Sequence, residues 1–294
     1  QALDNDGWLD MAGYERATIR PRLYWESDTG ANLYVTMGAM TERRNGGTTT
    51  GATLMNGNPF LQQQDSARLD TGFIFDNSLT DFVNLNIRGS AMDQQHDHVF
   101  GTAIQNDSHQ SYLLESSISG YQDTLAWLIG VAYQADEYSS EQFSDFNYHY
   151  KVPGLFTQVD IDTTETLSFS FSARADWHSE YGTQFSPRLS ILYQPNDWTL
   201  RTAYGKGYFA PTPFIEDVED AGLLRLAPLN GIQAEQATTA SVDLSYNHTN
   251  TEISVTLFAS DIENVTTLDT LPNFSTSPIT ADSEPFVRII NAPG

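Results

Sequence analysis

The feature that most constrains this chain is an alternation of apolar and polar side chains with a period of two residues. From Leu167 to Trp177 every odd-numbered residue is apolar and every even-numbered residue is polar. Successive side chains of a β-strand point to opposite sides of the sheet, so this segment predicts a strand with one apolar and one polar face. Residues 185–193 and 240–246 repeat the pattern.

The same period predicts twelve strands, most of them as long as the roughly 9–11 residues that a tilted membrane strand needs. A further strand is expected to begin near Phe286. We place the twelve near residues 14–26, 31–44, 66–76, 81–92, 110–120, 124–135, 153–162, 166–178, 184–194, 198–209, 238–247 and 251–261.

The connections between these strands alternate between short and longer. Short turns are predicted at residues 27–30, 77–80, 121–123, 163–165, 195–197 and 248–250, and longer loops at 45–65, 93–109, 136–152, 179–183, 210–237 and 262–285. Outer-membrane barrels combine short periplasmic turns with longer extracellular loops, whereas the Greek-key links of a soluble sandwich give no such alternation. We therefore predict an all-β fold, an antiparallel up-and-down transmembrane β-barrel.

Composition excludes several other classes of protein. Hydrophobic residues make up 39% of the chain, and no run approaches the roughly 18 apolar residues of a membrane helix. The net charge of −24 argues against a nucleic-acid partner, which requires a basic surface. The chain has no cysteine, so disulfides and thiolate metal sites are excluded.

The basic residues indicate a wet or protein-filled interior. Polar-face positions avoid the cost of about 2–4 kcal/mol for an arginine facing lipid at the bilayer midplane. Eight of the 14 Lys and Arg residues take such positions: Arg16, Arg20, Arg22, Arg68, Arg88, Arg174, Arg188 and Arg201. The last three are candidate ligand-binding residues that could guide anions. Hydrogen bonding to a domain inside the barrel is the interpretation that we favour.

Residues 185–212 read FSPRLSILYQPNDWTLRTAYGKGYFAPT. This stretch resembles the barrel of TonB-dependent outer-membrane receptors, where an SPR-L strand, a tight turn and a strand ending in Y-G-x-G-[FY]-x-A-P recur. Residues 231–236 stand where the family usually carries an L-x-P-E-x-[ST] approach to the next strand, and they resemble it more loosely, with Ala234 in place of the proline. Residues 287–294 resemble a later strand of the same barrel.

The resemblance implies a barrel of about 22 strands that encloses a plug domain. We expect residues 1–294 to be a partial barrel domain of about 12–13 strands, with the plug domain and the remaining strands outside it. It also implies a place in the bacterial outer membrane, in contact with its lipid. The family imports scarce nutrients, most often ferric siderophores and also haem, cobalamin and some glycans. Its energy comes from the TonB complex acting through the plug.

Two other functions are compatible with the strand pattern. A passive 12-stranded pore would pair its last strand with its first. An outer-membrane hydrolase would bring a Ser, a His and an acid together on adjacent strands. We find no convincing catalytic constellation in the sequence, and we predict neither enzymatic activity nor a cofactor.

The predicted loop at 136–152 carries the best candidate for ligand contact. Phe143, Phe146, Tyr148 and Tyr150 form an aromatic group that could grip a planar or apolar ligand. An aromatic girdle at the bilayer interface is the competing explanation.

Three further motifs have structural explanations that we prefer. His96 and His98 would share one face if their strand extended that far, and with Asp97 and His109 they could bind a divalent metal. A solvated loop is the favoured explanation there, as it is for the acidic residues 216–220 that could take calcium. We therefore predict no metal site. Residues 205–207 (GKG) lack the spacing of a phosphate loop and are interpreted as strand-end glycines.

Overall fold

The structure, a computed structural model, describes residues 6–49, 51, 53, 57–214, 223, 226–271 and 287–292. Within them, no helix is long and apolar enough to cross a membrane. Ser144–Phe146 forms a single turn of 3-10 helix. The strands are β1 Gly13–Ile19, β2 Arg22–Glu26, β3 Asn32–Gly47, β4 Leu61–Thr80, β5 Val83–Phe100, β6 Ala103–Gln122, β7 Leu125–Ser140, β8 Tyr148–Thr164, β9 Leu167–His178, β10 Gly182–Tyr193, β11 Trp198–Phe209, β12 Glu235–His248, β13 Thr251–Glu263, β14 Thr266–Thr270 and β15 Val287–Asn291.

Strands β1 to β13 form one antiparallel sheet in which each strand from β3 onward pairs with the next along the chain. β1 and β2 both pair with β3. β14 and β15 form a separate two-stranded sheet. The predicted all-β, up-and-down architecture is confirmed.

The apolar face of the large sheet points outward. Phe171 pairs with Leu189 on one side and with Val159 on the other, and it remains 47% exposed. The opposite face, which carries Arg174 and Arg188, continues into the wall of a cavity. The sheet therefore presents an apolar surface to lipid and a polar surface to the lumen, as the alternation predicts.

Ion pairs join side chains on the luminal face, some within one strand and some between strands. Arg20 makes a bidentate contact with Asp70, with N–O distances of 2.6 and 2.8 Å. Bidentate geometry gives such a pair both strength and a defined orientation. Further pairs along the wall join Arg16 and Arg44 to Glu42, Arg88 to Glu115, and Arg174 to Asp176.

Several strands extend far beyond their predicted ends. The loop predicted at 93–109 is wrong for most of its length, since β5 runs to Phe100 and β6 begins at Ala103. Much of the predicted 136–152 loop is likewise paired, because β7 ends at Ser140 and β8 begins at Tyr148. Above the bilayer neither face of the sheet meets lipid. The apolar alternation therefore stops there although the hydrogen-bond ladder continues.

Other predicted elements differ in detail. The strand predicted at 14–26 is divided at Arg20-Pro21 into β1 and β2, since proline has no backbone N–H to donate. The strand predicted near Phe286 is β15, which pairs with β14 rather than with the large sheet. The loops predicted at 45–65, 210–237 and 262–285 are described only in part, and the acidic residues 216–220 lie outside the described residues.

The two outer strands of the large sheet, β1 and β13, each have one partner among the described strands. A passive pore of twelve strands requires a ladder between its first and last strands. The described strands contain no such ladder, and this is evidence against the passive pore. The open edges also leave backbone groups unpaired, and each would cost several kcal/mol if it faced hydrocarbon.

Phe171→Arg is expected to impair assembly of the barrel, because it places a charge on the lipid-facing surface at a cost of about 2–4 kcal/mol. Ser170→Arg is the matched control. Ser170 faces the lumen on the same strand, opposite Asp160. Heat-modifiable electrophoretic mobility in membranes or detergent measures the folded fraction. Equal loss of folding in both variants would contradict the assignment of the two faces.

Candidate functional site

The luminal face forms a cavity of about 770 Å³ at the extracellular end of the sheet. Its wall contains inward-facing residues of β4 to β9, and its side is closed by residues 210, 212, 214 and 223. A membrane strand needs only about 9–11 residues. Counted along each strand from the short turns, the cavity residues of β5 to β8 come after this length. They therefore lie beyond the bilayer. Because these residues are on paired strands, the site has a rigid frame.

A row of aromatic rings crosses one wall of the cavity. Tyr148 stacks on Tyr150 with ring centroids 4.5 Å apart, and Tyr138 stacks on Tyr148 at 6.0 Å. At one end Tyr150 meets His178 edge-on at 4.9 Å, and at the other Phe214 meets Tyr138 at 4.5 Å. Tyr148 and Tyr150 occupy positions i and i+2 of β8, so their rings lie side by side on one face of the strand.

Tyr138 has an unusual hydroxyl group. The residue is only 4% exposed, and among the described residues its hydroxyl is the one buried side-chain polar atom without a hydrogen-bond partner. Burial raises the pKa of Tyr138 to about 12, and nearby Gln105 and Ser140 offset this only in part. Neither of them makes a hydrogen bond of normal geometry with the hydroxyl. A buried unsatisfied group of this kind costs about 1–3 kcal/mol, which a bound ligand could recover.

A histidine–carboxylate pair lies beside the tyrosines. His109 Nε2 is 3.0 and 3.1 Å from the two carboxylate oxygens of Asp136. The hydrogen bond to Asp136 raises the pKa of His109 despite burial. For Asp136, burial alone would raise the pKa, but the hydrogen bond from His109 and the nearby hydroxyl of Tyr148 outweigh it and the pKa is lowered.

A second group of titratable residues lies on the β5–β6 hairpin. His96 donates from Nδ1 to Asp107 at 2.9 Å, and His98 lies with its ring centroid 5.4 Å from that of His96. One ligand atom from each of the three residues lies within 4.8 Å of the others. Burial lowers the pKa of His98, so its imidazole stays neutral and keeps a lone pair available.

The predicted aromatic residues divide into two groups. Tyr148 and Tyr150 face the cavity, so the explanation as a lipid-facing girdle is wrong for them. Phe146 is buried, and Phe143 packs against the same small core. Neither phenylalanine is the exposed loop residue that the sequence suggested. That core is completed by Tyr138, Leu223, Leu226 and Ile289.

The three predicted arginines lie in the luminal wall outside the cavity lining. Arg174 is held by Asp176 at 2.8 Å, with its guanidinium 5.7 Å from the ring of Phe156. Within the described chain, no carboxylate lies in ion-pairing distance of Arg188 or Arg201. These two cations are therefore available to an anion or to a domain inside the barrel.

Sequence analysis did not identify several residues of the cavity, namely Asp107, Asp136, Tyr138 and His178. One signal in the sequence could have identified Asp107. Gly101 has a φ of +64° at the tip of the β5–β6 hairpin. A glycine turn recognised there would set the register and place Asp107 opposite His96. The short GKG sequence at 205–207 lies within β11, as expected of strand glycines.

The sequence of the chain matches the family model described as "TonB dependent receptor-like, beta-barrel" over residues 2–293. The chain belongs to this family. Among the curated proteins, no sequence matches the chain.

Solved structures show the same fold at low sequence identity. A mutant of the ferric enterobactin receptor of Pseudomonas aeruginosa has a TM-score of 0.70 and 14% identity, covering 96% of this chain and 47% of its own. The hemophore receptor HasR of Serratia marcescens, in complex with its hemophore and heme, has a TM-score of 0.70, 12% identity, and coverages of 95% and 50%. The siderophore receptor PirA of P. aeruginosa has a TM-score of 0.67, 12% identity, and coverages of 97% and 55%. The chain thus spans about half the length of these proteins.

Membership defines the general class and location of the protein. TonB-dependent receptor barrels lie in the bacterial outer membrane, and the family consists of transporters, not enzymes.

His178 gives the cavity a pH dependence that can be measured. Burial lowers its pKa, Glu180 and Asp176 act in the opposite direction, and its Nδ1 accepts hydrogen bonds from the N–H groups of Glu180 and Tyr181. His178 therefore stabilises the folded protein in its neutral form. This contribution is present above the pKa of about 6.5 that histidine has in the unfolded chain, and it is lost as the pH falls through the lowered pKa of His178 in the folded protein. In detergent, acidification from pH 8 to 5 should lower the melting temperature of the native protein more than it lowers the melting temperature of the His178→Gln variant. Equal shifts in melting temperature would show that His178 does not titrate in this way.

Proposed function

We propose that the protein is an outer-membrane active-transport receptor that binds a ferric siderophore in its extracellular cavity and imports it with energy from the TonB complex. The observation that carries the proposal is the aromatic row beside the unsatisfied hydroxyl of Tyr138. Solved receptors of similar fold are named for ferric enterobactin and other siderophores.

The shape and chemistry of the cavity support capture of a small bulky molecule. A volume of about 770 Å³ is within the range of about 300–1,000 Å³ that is typical of small-molecule sites. Stacked tyrosines offer large apolar faces and lose little conformational entropy on binding, since each ring has few rotatable bonds. The hydroxyl of Tyr138 supplies a donor for an oxygen of the ligand.

Charge narrows the class of siderophore. The described lining contains Asp107 and Asp136 but no Lys or Arg. A highly anionic complex, such as a ferric catecholate, would meet these carboxylates without a Lys or Arg to compensate its charge. A neutral or cationic complex, such as a ferric hydroxamate, fits the lining better, and we propose this class.

The open edges support a larger barrel around the site. Within the described strands, β1 and β13 each have an unpaired edge whose backbone groups cannot face hydrocarbon at low cost. We infer that further strands pair with them in the membrane and that a plug domain fills the lumen. Arg188 and Arg201 would then donate hydrogen bonds to the plug.

Tyr138→Phe is the sharpest test of the site. It removes the hydroxyl and keeps the ring, so binding of a ferric hydroxamate should weaken by about 2- to 10-fold, as expected for one hydrogen bond. Thermal stability should stay equal or rise, because an unsatisfied buried group is removed. Tyr133→Phe on the same strand is the matched control, since Tyr133 lies on the lipid-facing side.

Ligand-quenched fluorescence of the purified receptor can compare a ferric hydroxamate, a ferric catecholate and haem. Preferential binding of the hydroxamate, weakened only by Tyr138→Phe, would support the proposal. Preference for the catecholate or for haem would overturn the proposed cargo class. Equal affinity in wild type and both variants would show that this cavity is not the binding site.

A further inference from the structure

The register of the β5–β6 hairpin assembles three metal-ligating side chains. His96 and Asp107 are direct cross-strand partners, and His98 is two residues along β5 on the same face. Residues at i and i+2 of a strand point to the same side, and diagonal neighbours remain in reach. The inward face of this hairpin thus carries two imidazoles and a carboxylate around one point, beyond the membrane-spanning part of the strands.

The distances suit coordination as well as hydrogen bonding. His96 Nδ1 and Asp107 Oδ1 are 2.9 Å apart, and the ligand atoms of all three residues lie within 4.8 Å of one another. Metal–nitrogen and metal–oxygen bonds of about 2.0–2.2 Å place neighbouring ligand atoms roughly 3 Å apart. Only small side-chain shifts would be needed for the three groups to surround one ion.

Neighbouring groups hold the cluster in place. The carboxylate of Asp107, which is 8% exposed, accepts a hydrogen bond from Gln105 at 3.4 Å. The side-chain amide of Gln94 contacts Nε2 of His96. Such outer-shell contacts orient ligands in metal sites and raise their affinity.

We propose that His96, His98 and Asp107 form a binding site for a divalent transition-metal ion such as Zn²⁺, Ni²⁺ or Cu²⁺. Two imidazoles and one carboxylate are a ligand set for ions of borderline softness, whereas Ca²⁺ and Mg²⁺ prefer oxygen alone. Three protein ligands leave a coordination position open toward the cavity, where water or a donor atom of an incoming ligand can bind. The inference does not depend on which compound is transported.

The acidic character of the chain favours cations at this surface. With a net charge of −24, the protein attracts cations, including the proposed divalent ion. His109 and Asp136, which are joined to each other by hydrogen bonds, are not part of the group whose ligand atoms lie within 4.8 Å of one another. We therefore assign the ion to the three residues of the hairpin alone.

The test uses Zn²⁺ and Co²⁺ as probes, added separately to the purified full chain in detergent. Calorimetry measures Zn²⁺ affinity, and the visible absorption of Co²⁺ reports its ligand geometry. The variant His96→Gln with His98→Gln should lose at least about 100-fold in affinity, because loss of an outer-shell partner alone costs about 10–100-fold. His149→Gln is the matched control, since His149 lies near one carboxylate, Glu137, outside the cluster.

The outcomes distinguish a specific metal site from nonspecific binding of ions at the surface. One ion per chain, with affinity lost in the double variant and retained in His149→Gln, supports the proposal. Absence of Zn²⁺ binding by the folded native protein overturns it, as does equal affinity in the native protein and the double variant. Should the double variant fail to fold, X-ray absorption of Zn²⁺ on the native protein decides the question. A first shell with two imidazoles supports the site, and one without them overturns it.

Discussion

The structure depends on one constraint, the need of every backbone N–H and C=O in hydrocarbon to find a partner within the protein. The ladder that meets this need runs without interruption in strand order from β3 to β13. It also fixes which side chains face lipid and which face the lumen, because a shift of one residue would exchange the two faces. The same ladder continues past the bilayer in β4 to β8 and becomes the frame of the cavity.

A cavity on paired strands differs from one on loops in how its groups are held. Asp136 pairs with Ser111 on one side and with Tyr150 on the other, and Tyr148 pairs with Tyr138, so these side chains need little reorganisation when a ligand binds. Preorganisation lowers the entropic cost of association. Among the described residues, the arrangement retains one unsatisfied hydroxyl and two histidines, His98 and His178, whose pKa is lowered by burial; these are costly for stability but useful for a ligand.

The sequence prediction was accurate for the membrane-spanning parts of the strands and less accurate for the parts beyond the bilayer. β11 was predicted to the residue at 198–209, since lipid on one face and polar groups on the other give the strand its period. The extensions of β5 and β6 were predicted as a loop. There His96, Asp97 and His98 occur with no apolar face, and only pairing with the opposite strand makes them extended. The break at Pro21 was also missed. β1 and β2 pair with β3 in one continuous register, so the alternation of side chains is the same on both sides of the break.

The sequence by itself determined the strand order, the two faces of the wall and the resemblance to a receptor family, since these depend on local alternation and short motifs. It also indicated His96, His98, Tyr148 and Tyr150. Only the tertiary structure decided what these residues meet. Asp107 reaches His96 through hairpin register, and Tyr138 reaches Tyr148 from the adjoining strand. Such contacts join residues that are distant or differently patterned in sequence, so no local period can record them.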